Sequence, residues 1–204
     1  MPASVLLMLF VAASFVCSAG FDVKAQKEVY TPDYNIYHNI SQISDTLSRL
    51  ETTHKGYISL DHNFKSRAGH SQLLVKLANS SLDSSRKIKQ IKILLVFGEH
   101  AREFFPIECM LYLLKNITAG LSEISDSNSR HYTQWIFDNF DIDLIAVANP
   151  DGRRYVEATK NFCWRGTTSG VDINRNFAWN YGGKGSSGDP ADGEFRGDEA
   201  FSGR

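Results

Sequence analysis

The spacing of apolar positions changes repeatedly along this chain. Between Tyr37 and Glu51, Ile40, Ile43, Leu47 and Leu50 recur three and four residues apart, which predicts an amphipathic helix. Gly56 to Leu60 and Ser71 to Leu77 read as strands, separated by a polar turn around Arg67-Ala68-Gly69. Ile91 to Phe97 is a nearly continuous apolar run ending at Gly98, the pattern of a central strand covered on both faces. Phe104, Ile107, Leu111 and Leu114 return to helical spacing, with Pro106 in the first turn, where a missing N–H does no harm. A polar loop follows from Ser122 to Asn128, then a second helix from His131 to Phe140 and a second buried strand from Asp143 to Ala148. Asn149-Pro150-Asp151-Gly152 has proline second and glycine fourth, which fits a type I turn closing that strand.

Strand, helix, helix, strand is a crossover, so Ile91–Phe97 and Asp143–Ala148 are expected to pair in parallel within an α/β sheet. Ligands of such sheets bind beyond the carboxyl ends of the strands. Gly98 onward and Asn149 onward are two such ends. Beyond Phe162 the periodicity fades. Nine of the fifteen glycines lie between Gly166 and Gly203, which marks either a functional loop or an unstructured tail.

Composition narrows the class. With 204 residues, 42% hydrophobic and 12% aromatic, the chain can bury one sizeable core. Lys+Arg 22 against Asp+Glu 23 leaves a net charge of -1, without the basic surplus a nucleic-acid partner would need. The apolar run Val5 to Val16, followed by Cys17-Ser18-Ala19-Gly20, reads as a secretory signal peptide cut after Ala19. It is too short to span a bilayer, so no membrane span is expected and the protein is expected to be secreted. Asn39-Ile40-Ser41, Asn79-Ser80-Ser81 and Asn116-Ile117-Thr118 are sequons that suit that route. Cys109 and Cys163 remain in the mature chain and read as two buried thiols, although an oxidising compartment would permit them to pair.

Three clusters carry candidate chemistry. In Gly98-Glu99-His100-Ala101-Arg102-Glu103, directly after the apolar strand, imidazole and carboxylate at i and i+3 can turn toward one point. That donor pair suits Zn²⁺, and exposed loop charge is the alternative. In Trp164-Arg165-Gly166 the arginine is either a stacked structural cation or a group that polarises a carbonyl oxygen. In Val171-Asp172-Ile173-Asn174-Arg175-Asn176-Phe177 the guanidinium and amide could hold a carboxylate, or sit in a solvated loop.

In this order, G-E-H-A-R-E, N-P-D-G-R-R-Y, W-R-G and D-I-N-R-N-F resemble the zinc metallocarboxypeptidases of the carboxypeptidase A/B type. The resemblance runs from about Tyr34 to the last residue. It implies a mixed, largely parallel central sheet flanked by helices, seen here without its C-terminal part. It implies one Zn²⁺, with His100 and Glu103 as its first two ligands. Arg165 would stabilise the oxyanion of the attacked carbonyl. Asn174 and Arg175 would clamp the free C-terminal carboxylate of a peptide or protein substrate, and Arg102 would be a secondary substrate contact. The family's third zinc ligand and catalytic glutamate lie beyond Arg204. His38, His54, His62, His70 and His131 do not match that ligand's position, so the chain reads as the amino-terminal part of a catalytic domain, expected to be monomeric and inactive alone. An aspartoacylase-like zinc amide hydrolase and a non-catalytic secreted peptide-binding glycoprotein are the rival expectations.

Overall fold

The computed structural model describes residues 32–87 and 89–203, so the expected signal peptide lies outside the described residues. Helix α1 (Ile40–Thr53) leads into strands β1 (Ile58–Asp61) and β2 (Leu74–Leu77), then the short helix α2 (Ser84–Lys87). Strand β3 (Ile91–Val96) is followed by α3 (Phe105–Thr118) and a 3-10 turn (Ala119–Leu121), then α4 (Ser127–Asn139) and strand β4 (Phe140–Ile145). Helix α5 (Pro150–Thr159) and a 3-10 turn at Ile173–Arg175 complete the order.

Local sequence accounts for these boundaries. Asn39 caps α1 through a reciprocal capping box with Gln42. Asp126 caps α4, accepting from the backbone N–H groups of Asn128 and Ser129, and this draws the end of the expected polar loop into the helix. Asn149-Pro150-Asp151-Gly152 does not close a strand as an isolated turn. It is the first turn of α5, with the Asn149 side chain accepting from Gly152 N and proline at the start. A type I turn already has right-handed helical dihedrals at its first central residue, so the chain continues without a break. The weakly apolar R-R-Y-V-E-A-T that follows hides the helix from periodicity.

The sheet order is β1-β2-β4-β3. The expected parallel pair is present, with Ile93 opposite Ile142 and Leu95 opposite Leu144. The mixed α/β class holds, but β1–β2 and β2–β4 are antiparallel, so among the described residues the parallel share is the single β3–β4 ladder. Among the described residues strand β3 pairs with β4 alone. Its Ile91 is 52% exposed, and Leu94 and Val96 are half-buried.

Alternation divides the sheet into two faces. Val75, Leu77, Leu95, Ile142 and Leu144 point into one core with Ile43 and Leu47 of α1, Met110 and Leu114 of α3, and Phe137 of α4. Each such side chain contributes about 1.5–3 kcal/mol through removal from water. The opposite face is graded. Toward the strand starts it carries an ion-pair ladder, Lys92 to Asp141 at 2.9 Å and Lys76 to Asp141 and Asp143 at 3.6 Å. Toward the carboxyl ends of β3 and β4 it turns apolar, with Leu94, Val96 and Ile145 open to a cleft of about 1280 Å³. A smaller cluster packs Phe104 and Val156 with Tyr37, Phe162 and Trp164 below the loops at that end. Cys109 is half-buried and Cys163 exposed, so the expectation of two buried thiols is not met.

Candidate metal and carboxylate site

Two strand ends meet at the candidate site. Gly98 leaves β3 at φ +69°, and a Cβ there would lie 3.1 Å from the Ile107 side chain and 3.2 Å from the Val147 backbone. Only glycine turns the chain out of the sheet at that point without strain. Beyond it, His100 to Glu103 forms a tight turn closed by Glu103 N donating to His100 O at 3.2 Å. The i, i+3 pair thus converges in a turn that precedes α3.

Asn149 ties this turn to the second strand end. It is buried, and its amide donates to Glu99 O at 3.2 Å and to Gly166 O at 3.0 Å. Ala101 N donates to Arg165 O at 2.8 Å, which sets the H-A-R-E and W-R-G segments side by side. Gly152 permits this approach, because a Cβ there would lie 2.4 Å from Gly166 O.

The side chains then close on one another. His100 Nδ1 lies 2.9 Å from Glu103 Oε1, and His100 Nε2 lies 3.1 Å from Asp172 Oδ1. Arg165 Nε donates to Asp172 Oδ2 at 2.8 Å, and its Nη1 donates to Glu103 Oε1 at 3.3 Å. Asp172 is fully buried and also accepts from Asn174 N at 2.8 Å. Burial opposes its charge, but the hydrogen bond and charge of His100, with Arg165 beside it, hold its carboxyl below the usual range. Burial likewise disfavours the charged imidazole, yet the Asp172 and Glu103 carboxylates outweigh it and raise His100 above the ordinary histidine value. Glu99, next in the chain, is pushed up by burial.

These donors fit part of a zinc site. Two ligands about 2.0–2.2 Å from a tetrahedral zinc lie roughly 3.3–3.6 Å apart, so the pair at 2.9 Å would open by about half an ångström to hold one. The second nitrogen of His100 rests on a carboxylate, the arrangement that fixes tautomer and ring orientation in metal-bound histidines. Among the described residues no group of three or more His, Cys, Asp or Glu is placed to hold a metal. A catalytic zinc takes three protein ligands, of which this pair could supply two.

The structure therefore brings His100, Glu103 and Arg165 into one cluster and adds Asp172, to which sequence reasoning assigned no role. The only signal for it was its place two residues before Asn174 in D-I-N-R-N-F. Asn174 and Arg175 follow in the same segment but face the open cleft, whose lining does not include His100, Glu103 or Arg165. Arg175 Nε donates to Gly185 O at 2.6 Å, and its Nη2 stands 3.4 Å from the half-exposed Glu194. Asn174 is exposed. Arg102 turns aside, donating from Nη1 to Cys163 O at 3.2 Å. His38 and His70 are engaged elsewhere, with Glu108 at 2.9 Å and Asp151 at 2.7 Å. The glycine-rich stretch is ordered around the site. Asp172 N donates to Phe195 O, and the Asn176 amide donates to the carbonyls of Arg196 and Glu199.

Known proteins carry the same framework. The family model described as zinc carboxypeptidase matches residues 43–204. A zinc carboxypeptidase of Saccharothrix mutabilis subsp. capreolus is 27% identical over 79% of this chain and 37% of its own length. Carboxypeptidase B of Astacus astacus is 28% identical over 83% of this chain and 54% of its own length. The crystal structure of thrombin activatable fibrinolysis inhibitor superposes with a TM-score of 0.68 at 20% identity, covering 86% of this chain and 43% of that one. The chain thus spans about two-fifths to half the length of these relatives. With its sheet, its strand-end loops and a family match running to the last residue, the chain belongs to the zinc carboxypeptidase family.

Proposed function

We propose that this chain supplies the amino-terminal part of the catalytic domain of a secreted zinc metallocarboxypeptidase, which removes the C-terminal residue of peptides or proteins. The observation that carries the reading is the convergence of His100 Nδ1 and Glu103 Oε1 at 2.9 Å, with Asp172 behind the imidazole and Arg165 beside the carboxylate. His100 and Glu103 would hold the ion. Zinc, when bound, supplies a Lewis acid and an activated water at neutral pH.

The chain's own residues supply the rest. Asp172 orients the imidazole and offsets its charge. Arg165 lies where a guanidinium can stabilise negative charge developing on the attacked carbonyl oxygen, provided its bond to Glu103 is exchanged for one to substrate. Arg175 and Asn174 would require a free terminal carboxylate, which makes the enzyme an exopeptidase. At 3.4 Å the Glu194 contact is a loose one that a substrate carboxylate could displace.

Secretion rests on the Val5–Val16 run and the small residues after it. Of the three sequon asparagines, Asn116 is exposed on α3, whereas Asn79 is buried and Asn39 caps α1. Asn116 is therefore the position best suited to a glycan.

The test uses a form extended to the family's length and a peptide with either a free or an amidated C-terminus. Cleavage is expected only of the free carboxylate, with kcat/KM falling at least tenfold in Arg175→Ala, mainly through KM. Equal cleavage of both peptides, or unchanged kinetics in the variant, removes the clamp assignment.

A further inference from the structure

A second recess lies away from the metal pair, between the end of α1 and the start of α4. It has a volume of about 620 Å³ and is lined by His54, Lys55, Tyr57, Arg130, His131 and Gln134, among others. No Asp or Glu lines it. In a chain of net charge -1 this is a local excess of cationic and N–H-bearing groups. Among the described residues none of Lys55, Arg130, His54 and His131 has a carboxylate within ion-pair distance. Two acids near the recess along the chain are held by neighbouring backbone. Glu51 accepts from Leu60 N, and Asp126 accepts from Asn128 N, Ser129 N and the Ser129 hydroxyl.

The walls of this recess are fixed. Gly120 packs so tightly on α4 that a Cβ would lie 2.3 Å from Ser129 O and 2.7 Å from Arg130 Cα. The Thr133 hydroxyl accepts from Gly120 N at 3.0 Å and donates to Ile117 O at 2.9 Å, locking the turn to the helix. On the other side Tyr57 N and Ile58 N both donate to His54 O, and the Tyr57 ring meets Phe137 edge-on at 4.9 Å. Arg130 donates to Ser125 O through one terminal nitrogen. Its remaining donors stay available on the rim.

We propose that this groove binds the sulfate or phosphate ester of a sugar, away from the metal pair. Lys55 and Arg130 supply fixed charge, Arg130 suits the planar recognition of a tetrahedral oxyanion, and the imidazoles supply further N–H donors, while the Gln134 amide already donates to Asp138 at 2.9 Å. The recess is wider than a lone anion, which leaves room for the sugar that carries the ester beside the Tyr57 ring.

The test titrates the 204-residue chain with a sulfated disaccharide, its unsulfated counterpart and a phosphorylated monosaccharide, followed by calorimetry. Saturable binding is expected for the sulfated or the phosphorylated probe, at least tenfold tighter than for the unsulfated one, and the tighter of the two identifies the ester. Lys55→Gln and Arg130→Gln should each weaken it about threefold to tenfold, with the thermal unfolding midpoint unchanged. Both residues are exposed, so the variants do not threaten the fold. Equal affinity for the unsulfated probe, absence of binding to all three, or binding indifferent to both substitutions overturns the proposal. Because the proposed metal ligands play no part, failure here leaves the peptidase reading untouched.

Discussion

Two arginines lie beside carboxylates, Arg153 buried and Arg165 partly so, and they do different work. Arg153 on α5 donates to Glu157 at 3.0 Å and to His38 O at 2.8 Å, and its guanidinium lies 3.5 Å from the centre of the Phe104 ring. Its partners serve the fold, and the Phe104 it presses on directly follows Glu103. Arg165 also meets two carboxylates, but each of those, Glu103 and Asp172, is shared with His100. A buried cation whose carboxylate is otherwise held only by backbone, as Glu157 is by Ile40 N, is a structural tie. One whose partners are shared with an imidazole leaves a set of groups that a ligand can rearrange.

The strongest way to sharpen this contrast is to remove each guanidinium. Arg153→Ala leaves Glu157 uncompensated and the Phe104 ring bare, and should cost about 3–5 kcal/mol in urea unfolding. Arg165→Ala should cost clearly less, because Asp172 and Glu103 keep His100 as a partner. Equal losses would erase the distinction between tie and shared cluster. Next in size, Asp172→Asn should weaken zinc binding to the 204-residue chain about 10–100-fold, the usual effect of losing the carboxylate behind a metal-bound histidine. An unchanged titration would mean that Asp172 serves only the loop.

The smallest expected effect is a pH dependence confined to one cluster. In metal-free protein His100 is raised by its carboxylates, so its stabilising contribution is complete below the unfolded histidine value near 6.5 and is lost as pH rises through its higher folded value. Asp172 is depressed, so its contribution is present above about 3.9 and is lost as pH falls through its folded value. Arginine does not titrate in that window, so the Arg153 tie is indifferent to it. The thermal unfolding midpoint in a chelator should therefore decline as pH rises above about 6.5 for the wild type, and His100→Gln should flatten that decline. The same slope in both proteins would detach it from His100.

Much of the framework was legible in the chain. The three-and-four spacing of Ile40, Ile43 and Leu47 gave α1, and the two apolar runs gave the parallel pair β3–β4, because burial on one face imposes a period that residues display directly. Helix α5 was not legible, since its buried side includes Asp151, Gly152 and Arg153, which look polar until Ser66, His70, Glu157 and Phe104 are brought to them. The cleft beside β3 was equally hidden. An apolar run reports that a strand avoids water, and here the Leu94 and Val96 face lines a cleft instead.

By itself the sequence determined which groups are available and in what order: a donor pair three residues apart, an arginine after an aromatic, and an Asn-Arg step in a glycine-rich stretch. These are short-range facts, set by covalent neighbours. Only the tertiary structure decided that Asp172 lies behind His100 across 72 positions of chain, that Arg165 bridges both carboxylates, and that Arg175 opens onto the cleft at the same strand ends. Those contacts form between segments that no periodicity links. They follow from how closely the two strand-end loops can approach once Gly98 and Gly152 remove the side chains that would hold them apart.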